Sequence, residues 1–386
     1  MSPDVPPVPP EFATTSSGRL TIVRGEGARL FDAAGRAYID LGATHGVGNL
    51  GANPPEVVRA VERQMRELVH LGSGYANPVR TAFLERLLAL LPPSFGSVFL
   101  SNSGTEAVEA AIKVARSVTG RPKVVAAMRG FHGRTMGSLS ATWRREFREP
   151  FEPLVPGFVH VPYNDAAALD AAVDASTALV LLEPVQGEGG VHVASEAFLR
   201  AARAACDRTG ALLAFDEVQC GLGRTGRLFA FERWGVVPDL LLLAKSLAGG
   251  LPIGATVIGR EFVPRFRGSH HSTFGGSPLV CAAGLAALDQ LVRDRLPERA
   301  DRLGAIGLER LGSLPRERVR EVRGLGLMIG VEFREKVGPI LAGLESRGFL
   351  AIPAGATVLR LLPPFVITDA EWEAGLKAIE EVVAGG

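Results

Sequence analysis

The sequence predicts an α/β protein whose larger part is a mainly parallel sheet covered by helices. From residue 97 onward, apolar runs of strand length alternate with helical segments, which is typical of a parallel sheet that is buried on both faces. The runs, in chain order, are SVFLSN, KVVAAM, FVHVPY, ALVLLE, ALLAFDE and DLLLLAK. Several of them end on charged residues, at the sheet edge where open α/β sheets bind ligands.

The composition predicts a protein of two domains, because 386 residues with 47% hydrophobic content can bury two cores. The net charge of +1 gives no reason to expect nucleic acid as a partner. The three cysteines lack CxxC spacing, so neither disulfides nor a metal site are expected. We see no signal peptide and no run of about 18 apolar residues, so we expect a cytoplasmic protein without a membrane segment.

The N-terminal part is predicted to contain an arm and a set of hairpins. Residues 1–18 are rich in proline and then in serine and threonine, which favours a flexible arm. Residues 19–53 contain the strand-like pieces LTIVRGEGARLFD and RAYIDL, which predict antiparallel hairpins that belong to a smaller domain. The larger domain should then span residues 54–276. It opens with a helix after Pro54 and a second helix from about 79 to 91.

Further helices of the larger domain are expected from Thr105, near Asp165 and from Ser195, between the strands. After Pro278 the pattern changes to helices near 279–293, 297–312 and 337–347, strands VREVR, LGLMIGVEF and 349–362, and a last helix from Asp369. Residues 277–386 are therefore predicted to form a smaller α+β domain together with the N-terminal hairpins.

Lys245 is the first candidate catalytic residue. The chain has five lysines among its 42 basic residues, and Lys245 directly follows an apolar run, residues 240–244. Burial there would lower the pKa of the lysine and prepare a neutral amine for attack on a carbonyl, which arginine cannot provide. The alternative is a lysine that snorkels from a strand end. Asp216 ends the preceding run, so both groups are expected at one sheet edge.

Ser103, Gly104 and Thr105 stand between a predicted strand and a predicted helix. Hydroxyls and a glycine at a helix N-terminus offer free backbone N–H groups and the positive end of the helix dipole, which suits a phosphate. The alternative is an ordinary N-cap in which Ser103 is the cap and Glu106 completes a capping box.

Two further segments are expected at the same edge. The first is RGFHGRT, residues 129–135, in which the glycines allow close backbone approach. Phe131 could stack on a ring, and Arg134 could bind a carboxylate. The alternative interpretation of this segment is a polar turn. The run ALVLLE ends on Glu183 and enters the glycine-rich loop PVQGEGG, residues 184–190.

Residues 221–226, GLGRTG, match the dinucleotide fingerprint GxGxxG, and Asp239 stands near the distance of the ribose-binding acid. We reject that interpretation, because the fingerprint needs a strand directly before it and a long helix after it. Here Asp216 and Glu217 already end the strand, and a proline follows too soon for a long helix. A nicotinamide dehydrogenase would also leave Lys245 without a role.

A phosphate site, a stacking aromatic, a strand-end acid and a lone lysine together describe a site for pyridoxal 5'-phosphate. Lys245 would bond to the cofactor aldehyde, and Asp216 would pair with the ring nitrogen and keep it protonated. Ser103, Gly104 and Thr105 would hold the phosphate.

The sequence resembles the class III aminotransferases of fold type I from about residue 20 to the last helix. The motifs that carry the resemblance are SNSGTEA, FHGRT, EPVQGEGG, FDEVQCGLGRTG, PDLLLLAKSLAGGLPIGA and STFGG, in the family's order. Within the family the chain is similar to acetylornithine aminotransferases and to aminotransferases that act on lysine held by the carrier protein LysW. The resemblance implies Gln219 near the ring hydroxyl and Phe131 and Val218 on the two ring faces. It also implies that Thr273 reaches the phosphate of a neighbouring subunit, in a homodimer with shared active sites.

The resemblance further implies how two substrates share one site. Ser272 would line the substrate pocket, and Arg134 would bind the distal carboxylate of both substrates. Glu188 would mask Arg360 while a terminal-amine substrate binds, and would unmask it for the α-carboxylate of 2-oxoglutarate. Lys245 would be the base that moves the proton.

The expected activity is transfer of a terminal amino group to 2-oxoglutarate, from LysW-bound lysine in lysine biosynthesis or, as the alternative, from N-acetylornithine in arginine biosynthesis. Residues 128–165 are more similar to the lysine-pathway enzymes. Their arginines Arg144, Arg145 and Arg148 would steer an acidic carrier, the alternative being a solvated helix face. A remoter alternative is a glutamate-1-semialdehyde aminomutase, which should not need Arg134.

Overall fold

The computed structural model describes residues 20–72 and 74–385, so the predicted arm at residues 1–18 lies outside the described residues. The strands, in chain order, are β1 (Ile22–Glu26), β2 (Arg29–Asp32), β3 (Ala37–Asp40), β4 (Phe95–Ser101), β5 (Lys123–Ala127), β6 (Phe158–Val161), β7 (Thr177–Leu182), β8 (Val185–Gln186), β9 (His192–Val193), β10 (Leu212–Asp216), β11 (Leu240–Leu243), β12 (Gly254–Gly259), β13 (Val319–Leu325), β14 (Met328–Phe333), β15 (Phe349–Leu350), β16 (Ile352–Pro353) and β17 (Val358–Leu361). The α-helices are α1 (Ala43–Gly46), α2 (Pro55–Glu67), α3 (Pro78–Ala89), α4 (Gly104–Thr119), α5 (Met136–Ala141), α6 (Arg145–Arg148), α7 (Ala166–Ala172), α8 (Glu196–Thr209), α9 (Pro278–Arg293), α10 (Leu296–Gly312), α11 (Gly338–Ser346) and α12 (Asp369–Ala384). Short 3-10 helices lie at Glu149–Phe151, Ala230–Arg233, Lys245–Ala248 and Val263–Arg265.

Within the described residues the central sheet has seven strands in the order β4-β12-β11-β10-β7-β5-β6. The neighbours from β11 to β6 are parallel, whereas β12 is antiparallel to both β11 and β4. The predicted mainly parallel sheet is thereby confirmed. The pattern of apolar runs predicts the other strands but not β12, because its sequence GATVIG is short and begins and ends with glycine.

Both faces of this sheet are buried. Every residue of β7, β10 and β11 is buried, and successive side chains of a strand point to opposite faces. Leu213 and Leu241 accordingly belong to one apolar cluster, and Leu212 and Leu240 belong to another. Polar side chains of these strands are therefore confined to the strand ends, where the sheet meets the cavity described below.

Helices α4 and α8 have well-formed ends that agree with the sequence. Ser103 and Ser195 are the N-caps, and each accepts a hydrogen bond from the backbone N–H three residues later. Gly120 and Gly210 end the helices with φ of 70° and 74°. The cap at Ser103 starts α4 directly after β4, which brings the N-terminus of this helix to the edge of the sheet.

The N-terminal hairpins and the C-terminal segment share a sheet. β1, β2 and β3 are antiparallel, as predicted, and β15 pairs with β3 in the parallel sense. A further sheet has the order β13-β14-β17-β16. These sheets and the helices α10 to α12 form the predicted α+β part, while the domain boundaries at 19–53, 54–276 and 277–386 stay a prediction. No helix in the described ranges is long and apolar enough to span a membrane.

Residues 221–226 form consecutive turns and lead to the short 3-10 helix at Ala230–Arg233. Gly223 has φ of 90°, and a Cβ there would lie 3.1 Å from two bulky apolar side chains. Asp239 forms an ion pair with Arg203 at 3.0 Å. The glycine-rich stretch is therefore a closely packed loop, and the rejection of a dinucleotide fingerprint is confirmed.

Candidate active site

A cavity of about 410 Å³ opens at the carboxyl ends of the central strands. Its size is in the range of small-molecule sites. The residues predicted for the site that line it are Ser103, Gly104, Thr105, Phe131, Arg134, Glu188, Asp216, Val218, Gln219 and Lys245. Arg360, Ser272 and Thr273 lie outside this lining, whereas His132 and Glu183, which had no predicted role in the reaction, belong to it.

Lys245 stands two residues beyond the end of β11, in a strained backbone conformation. Its φ is 44°, in the left-handed region that residues other than glycine rarely adopt. Such strain persists only where the surrounding structure imposes it, and it clusters at functional sites. Burial lowers the pKa of the Lys245 ammonium, although the charge of Asp216 acts in the opposite direction. The position therefore favours the neutral amine that attack on a carbonyl requires.

Asp216 ends β10 and is held from behind by His132. Its Oδ2 lies 2.8 Å from Nδ1 of His132, and its Oδ1 accepts the backbone N–H of Val218 at 3.1 Å. Burial by itself would lower the pKa of His132, but the hydrogen bond and charge of Asp216 outweigh it and raise that pKa. The contact with His132 holds the Asp216 carboxylate in place at the strand end, where it faces the cavity and can pair with a ring nitrogen. His132 carried only a weak signal in the sequence, because one imidazole in a polar turn has many explanations.

The N-terminus of α4 faces the cavity through Ser103, Gly104 and Thr105. A Cβ on Gly104 would lie 2.9 Å from the side chain of Val218, so only glycine permits this close approach. No acceptor among the described residues takes the backbone N–H groups of Gly104 and Thr105. Free N–H groups at the positive end of a 16-residue helix suit a phosphate.

The alternative interpretation of this segment is correct in part. Ser103 Oγ accepts the backbone N–H of Glu106 at 3.3 Å and is therefore an N-cap. The expected capping box is wrong, because the Glu106 carboxylate accepts the backbone N–H of Asn102 at 2.9 Å instead of that of the cap residue. An N-cap and a phosphate site coexist here, since the cap uses only one of the free N–H groups.

Glu183 joins two loops of the site. Its Oε1 accepts the backbone N–H of Phe131 at 2.9 Å, and its Oε2 accepts that of Gly187 at 3.0 Å. Burial raises its pKa to about 7, with the charge of His132 acting in the opposite direction. The strand-end position of Glu183 in ALVLLE was the signal for its place at the sheet edge, but its two partners follow only from the fold.

Arg134 is exposed at the cavity and has no acidic partner in the described part of the chain. Its guanidinium carbon lies 3.9 Å from the ring centroid of Phe147 and 5.7 Å from that of Phe131. Stacking on aromatic rings orients the guanidinium while its N–H groups stay free, which suits a carboxylate ligand.

Glu188 and Arg360 form a direct ion pair, with Oε1 and Nη1 2.6 Å apart. The same Nη1 donates to Gln219 Oε1 at 3.0 Å, and Nη2 lies 3.3 Å from Nδ1 of His45. Burial acts to raise the pKa of Glu188, but the charge and hydrogen bond of Arg360 outweigh it and lower that pKa. The structure thus brings together a predicted pair, and adds His45, for which the sequence offered no signal.

Ser272 and Thr273 lie near the strand end of β4. Ser272 Oγ accepts a hydrogen bond from Asn102 Nδ2 at 3.2 Å and another from the backbone N–H of Gly275 at 3.0 Å. Thr273 is exposed. Its predicted contact with a phosphate in a second subunit stays a prediction.

The residues of the cavity fit pyridoxal phosphate. They supply a lysine with a lowered pKa, a buried acid held by a histidine, and a helix N-terminus with free N–H groups. They also include a glycine, Gly104, at which a Cβ would clash with Val218. These are the groups needed to bond the aldehyde, pair with the ring nitrogen and hold the phosphate.

Comparisons with known proteins agree with this fit. The family described as aminotransferase class-III matches residues 13–383. The chain is 48% identical to an acetylornithine aminotransferase of Methanopyrus kandleri, covering 96% of both chains. It is 44% identical to a [LysW]-aminoadipate semialdehyde transaminase of Deinococcus radiodurans, covering 94% of this chain and 86% of the relative. The crystal structure of an ornithine aminotransferase from Toxoplasma gondii superposes with a TM-score of 0.92 at 33% identity, covering 97% of this chain and 92% of that one.

The fold and the cavity define a pyridoxal-phosphate-dependent transaminase of fold type I. The family match spans nearly the whole chain, and so do the relatives at more than 40% identity. The chain belongs to the class-III aminotransferase family.

Proposed function

We propose that this transaminase moves the terminal amino group of LysW-bound lysine to 2-oxoglutarate in lysine biosynthesis. Relatives named for LysW-bound substrates support the proposal at 44% and 42% identity. N-acetylornithine, in arginine biosynthesis, is the second candidate and is supported by the Methanopyrus kandleri relative at 48% identity. A glutamate-1-semialdehyde aminomutase is disfavoured, because it would leave the unpaired Arg134 without a carboxylate to bind.

A charged groove beside the cavity, lined by four arginines and three glutamates, is the observation that favours a carrier-bound donor. The groove, of about 870 Å³, is lined by Arg129, Trp143, Arg144, Arg145, Glu146, Arg148, Glu149, Glu152 and Gly189. Arg144 donates to the backbone oxygen of Glu188 at 3.3 Å, so the groove adjoins the loop of residues 184–190, which lines the cavity. Arg145 is paired with Glu149 at 2.8 Å, but Arg144 and Arg148 have no acidic partner among the described residues. The positive charges of Arg144 and Arg148 at this position would attract an acidic carrier.

The residues that bind the cofactor have the following proposed roles. Lys245 would bond to the aldehyde of the cofactor, and its Nζ would take the proton from the substrate carbon that bears the amino group. Asp216 pairs with the ring nitrogen. Pyridoxal phosphate, when bound, supplies the electron sink that stabilises negative charge on that carbon. Ser103, Gly104 and Thr105 would hold the phosphate. Phe131 and Val218 would contact the ring faces, and Gln219 would contact the ring hydroxyl.

Two arginines divide the recognition of substrates. Arg134 binds the distal carboxylate in both half-reactions, and Ser272 supports the cavity wall from behind by accepting a hydrogen bond from Asn102. Arg360 binds an α-carboxylate only when Glu188 releases it. Glutamate and 2-oxoglutarate carry an α-carboxylate beside the reacting carbon, whereas a terminal-amine substrate does not, so one site serves both.

A homodimer with shared sites is part of the proposal. Exposed apolar side chains support it, because Phe274, next to Thr273, is 64% exposed, and Tyr75 and Met65 are 72% and 56% exposed. Exposed apolar patches mark interaction surfaces. A second subunit on this surface would place Thr273 at the neighbouring phosphate. The proposal also includes the division into a large and a small domain and a cytoplasmic location.

The test of the substrate is a side-by-side comparison of amino donors. The purified enzyme is assayed with LysW-bound lysine and with free N-acetylornithine, with 2-oxoglutarate as acceptor, and kcat/KM is measured for each. A higher kcat/KM for the carrier-bound lysine supports the proposal. Equal or higher values for N-acetylornithine would transfer the assignment to the second candidate.

A further inference from the structure

Arg360 is buried, and besides His45 and Glu188 its guanidinium contacts Gln219 and the backbone oxygen of Pro353. Its side chain is 0% exposed, Nη1 donates to Glu188 and Gln219, and Nη2 donates to the backbone oxygen of Pro353 at 3.3 Å. Side chains of Glu188 and His45 are 31% and 56% exposed. When the pair opens, the groups that can move are therefore Glu188 and His45, and the guanidinium stays in place.

The contact between Arg360 and His45 fixes the protonation state of the imidazole in this arrangement. Nη2 lies 3.3 Å from Nδ1 of His45, and a guanidinium has donors but no acceptor. Nδ1 must therefore accept, so the ring is neutral and carries its proton on Nε2. Partial burial lowers the pKa of His45, and the charges of Arg360 and Lys245 lower it further, whereas Glu188 raises it.

The same nitrogen of His45 is also close to Glu188. Nδ1 and Oε1 are 3.9 Å apart, so a shift of about 1 Å would bring them to hydrogen-bond distance. A protonated Nδ1 could donate to Glu188 but could no longer accept from Arg360. The two contacts exclude each other, which makes His45 a group with two alternative partners.

The backbone that carries His45 is strained. Ala43, Thr44 and His45 have φ of 42°, 49° and 60°, all in the left-handed region. The strain is held by the carboxylate of Asp40, which accepts the backbone N–H groups of Gly42 and Ala43 at 2.8 Å each. Strain of this type persists where the surrounding structure imposes it and clusters at switch regions and ligand sites.

We infer that His45 is a specificity-determining residue that receives Glu188 when Arg360 binds an α-carboxylate. The inference rests on the proposed exchange of Glu188 for substrate at Arg360. An incoming carboxylate adds one negative charge, and Glu188 must leave the guanidinium. Protonated His45 neutralises the displaced Glu188, so this half of the reaction includes uptake of a proton at Nδ1.

The direction of the pH effect follows from this exchange. The pKa of His45 is higher with the α-carboxylate bound than without it, because Glu188 has moved from Arg360 to the imidazole. Binding is then strongest at low pH and is lost as the pH rises through the bound-state pKa, by at most about tenfold per pH unit for one proton. The charged groups that face His45 are Arg360, Glu188 and Lys245, and the amide of Gln219 contacts its backbone oxygen at 3.5 Å.

The experiment counts the protons that bind with 2-oxoglutarate. Calorimetric titrations of the holoenzyme, without amino donor, are run in buffers with different ionisation enthalpies, for the wild type and for His45→Asn. Asparagine keeps an acceptor for Arg360 near the Nδ1 position and tolerates left-handed φ, but it cannot take up a proton. We expect up to about one proton more for the wild type than for His45→Asn. Protons bound elsewhere in the site cancel in this difference.

His192→Asn is the matched control, because His192 also faces arginines, with Nε2 2.9 Å from Arg129 Nη1, but it does not contact Glu188. It should take up as many protons as the wild type.

The pH dependence of KM for 2-oxoglutarate should flatten in His45→Asn alone, while cofactor absorbance and melting temperature report that the variant is folded. Equal proton uptake by the wild type and His45→Asn would overturn the inference. The 2-oxoglutarate titration does not depend on the identity of the amino donor, so a wrong donor assignment would appear in the donor comparison and leave this result unchanged.

Discussion

Glu188 and Arg360 are joined by a 2.6 Å contact between Oε1 and Nη1, although 172 residues separate them in the chain. The guanidinium is fully buried, and the carboxylate stands between it and the cavity. An internal carboxylate thus occupies the position that we propose for a substrate carboxylate.

Glu188→Ala should separate the two half-reactions. Without the internal carboxylate, Arg360 is free to bind an α-carboxylate. Glutamate should then react about tenfold faster or more, because its carboxylate no longer has to displace a charged hydrogen bond. The terminal-amine donor should react worse, because its own groups can now be drawn to Arg360. Single-turnover absorbance of the bound cofactor measures both donors separately. Equal slowing of both would reduce Glu188 to a structural role, and Glu196→Ala, on the surface of α8, is the control.

Lys245→Ala should abolish turnover, with a loss of at least about 10²- to 10⁴-fold, the usual contribution of a positioned acid–base group. Borohydride reduction of the wild type followed by peptide mapping should find the pyridoxyl label on Lys245. Lys123→Ala is the control, since Lys123 is paired with Asp174 at 2.7 Å on a strand of the same sheet. A label on any other lysine would refute the assignment.

Asp216→Asn should keep part of the cofactor and lose about 10- to 100-fold in turnover, because an amide replaces a charged hydrogen-bond partner. The same change should lower the pKa of His132, since Asp216 is what raises it against the effect of burial. Histidine NMR of the variant measures that pKa directly. Near-normal turnover together with an unshifted His132 would remove both residues from the site.

Mixing two inactive variants should restore activity if the sites are shared. Thr273→Asp places a negative charge beside the phosphate of the neighbouring subunit, and Lys245→Ala removes the lysine. In a hybrid dimer one site has both intact residues, so an equal mixture should recover about a quarter of the wild-type sites. The measurement is activity after co-refolding or subunit exchange, with light scattering for the dimer. If the mixture is no more active than the unmixed variants, the placement of Thr273 is wrong.

Replacing Arg144 and Arg148 with alanine should raise KM for carrier-bound lysine and leave KM for N-acetylornithine nearly unchanged. Rim charges act mainly on association rate, and their effect falls with ionic strength. The salt dependence of kcat/KM for the carrier-bound donor should therefore weaken in the double variant. Arg200→Ala, an exposed arginine paired with Glu196, is the matched control. Equal effects on both donors would indicate that the groove does not recognise a carrier.

Local sequence patterns were sufficient for much of the fold. The apolar runs of β7, β10 and β11 are fully buried, as continuous apolar strands in a parallel sheet should be. Strand β12 was missed, because GATVIG carries few of the features that distinguish a strand from a loop. The cap at Ser103 was predicted, but its capping box was not formed, since Glu106 turns to Asn102.

The sequence by itself determined the sheet, the cofactor and the position of Lys245 and Asp216 at the ends of buried strands, because a buried strand can deliver a charged residue only at its end. Only the tertiary structure decided what stands behind and beside those residues. His132 supports Asp216 across 84 positions, and His45 meets Arg360 across 315. Periodicity and propensity act over a few neighbouring residues, whereas these contacts depend on how β10, α1 and β17 pack, which no local pattern specifies.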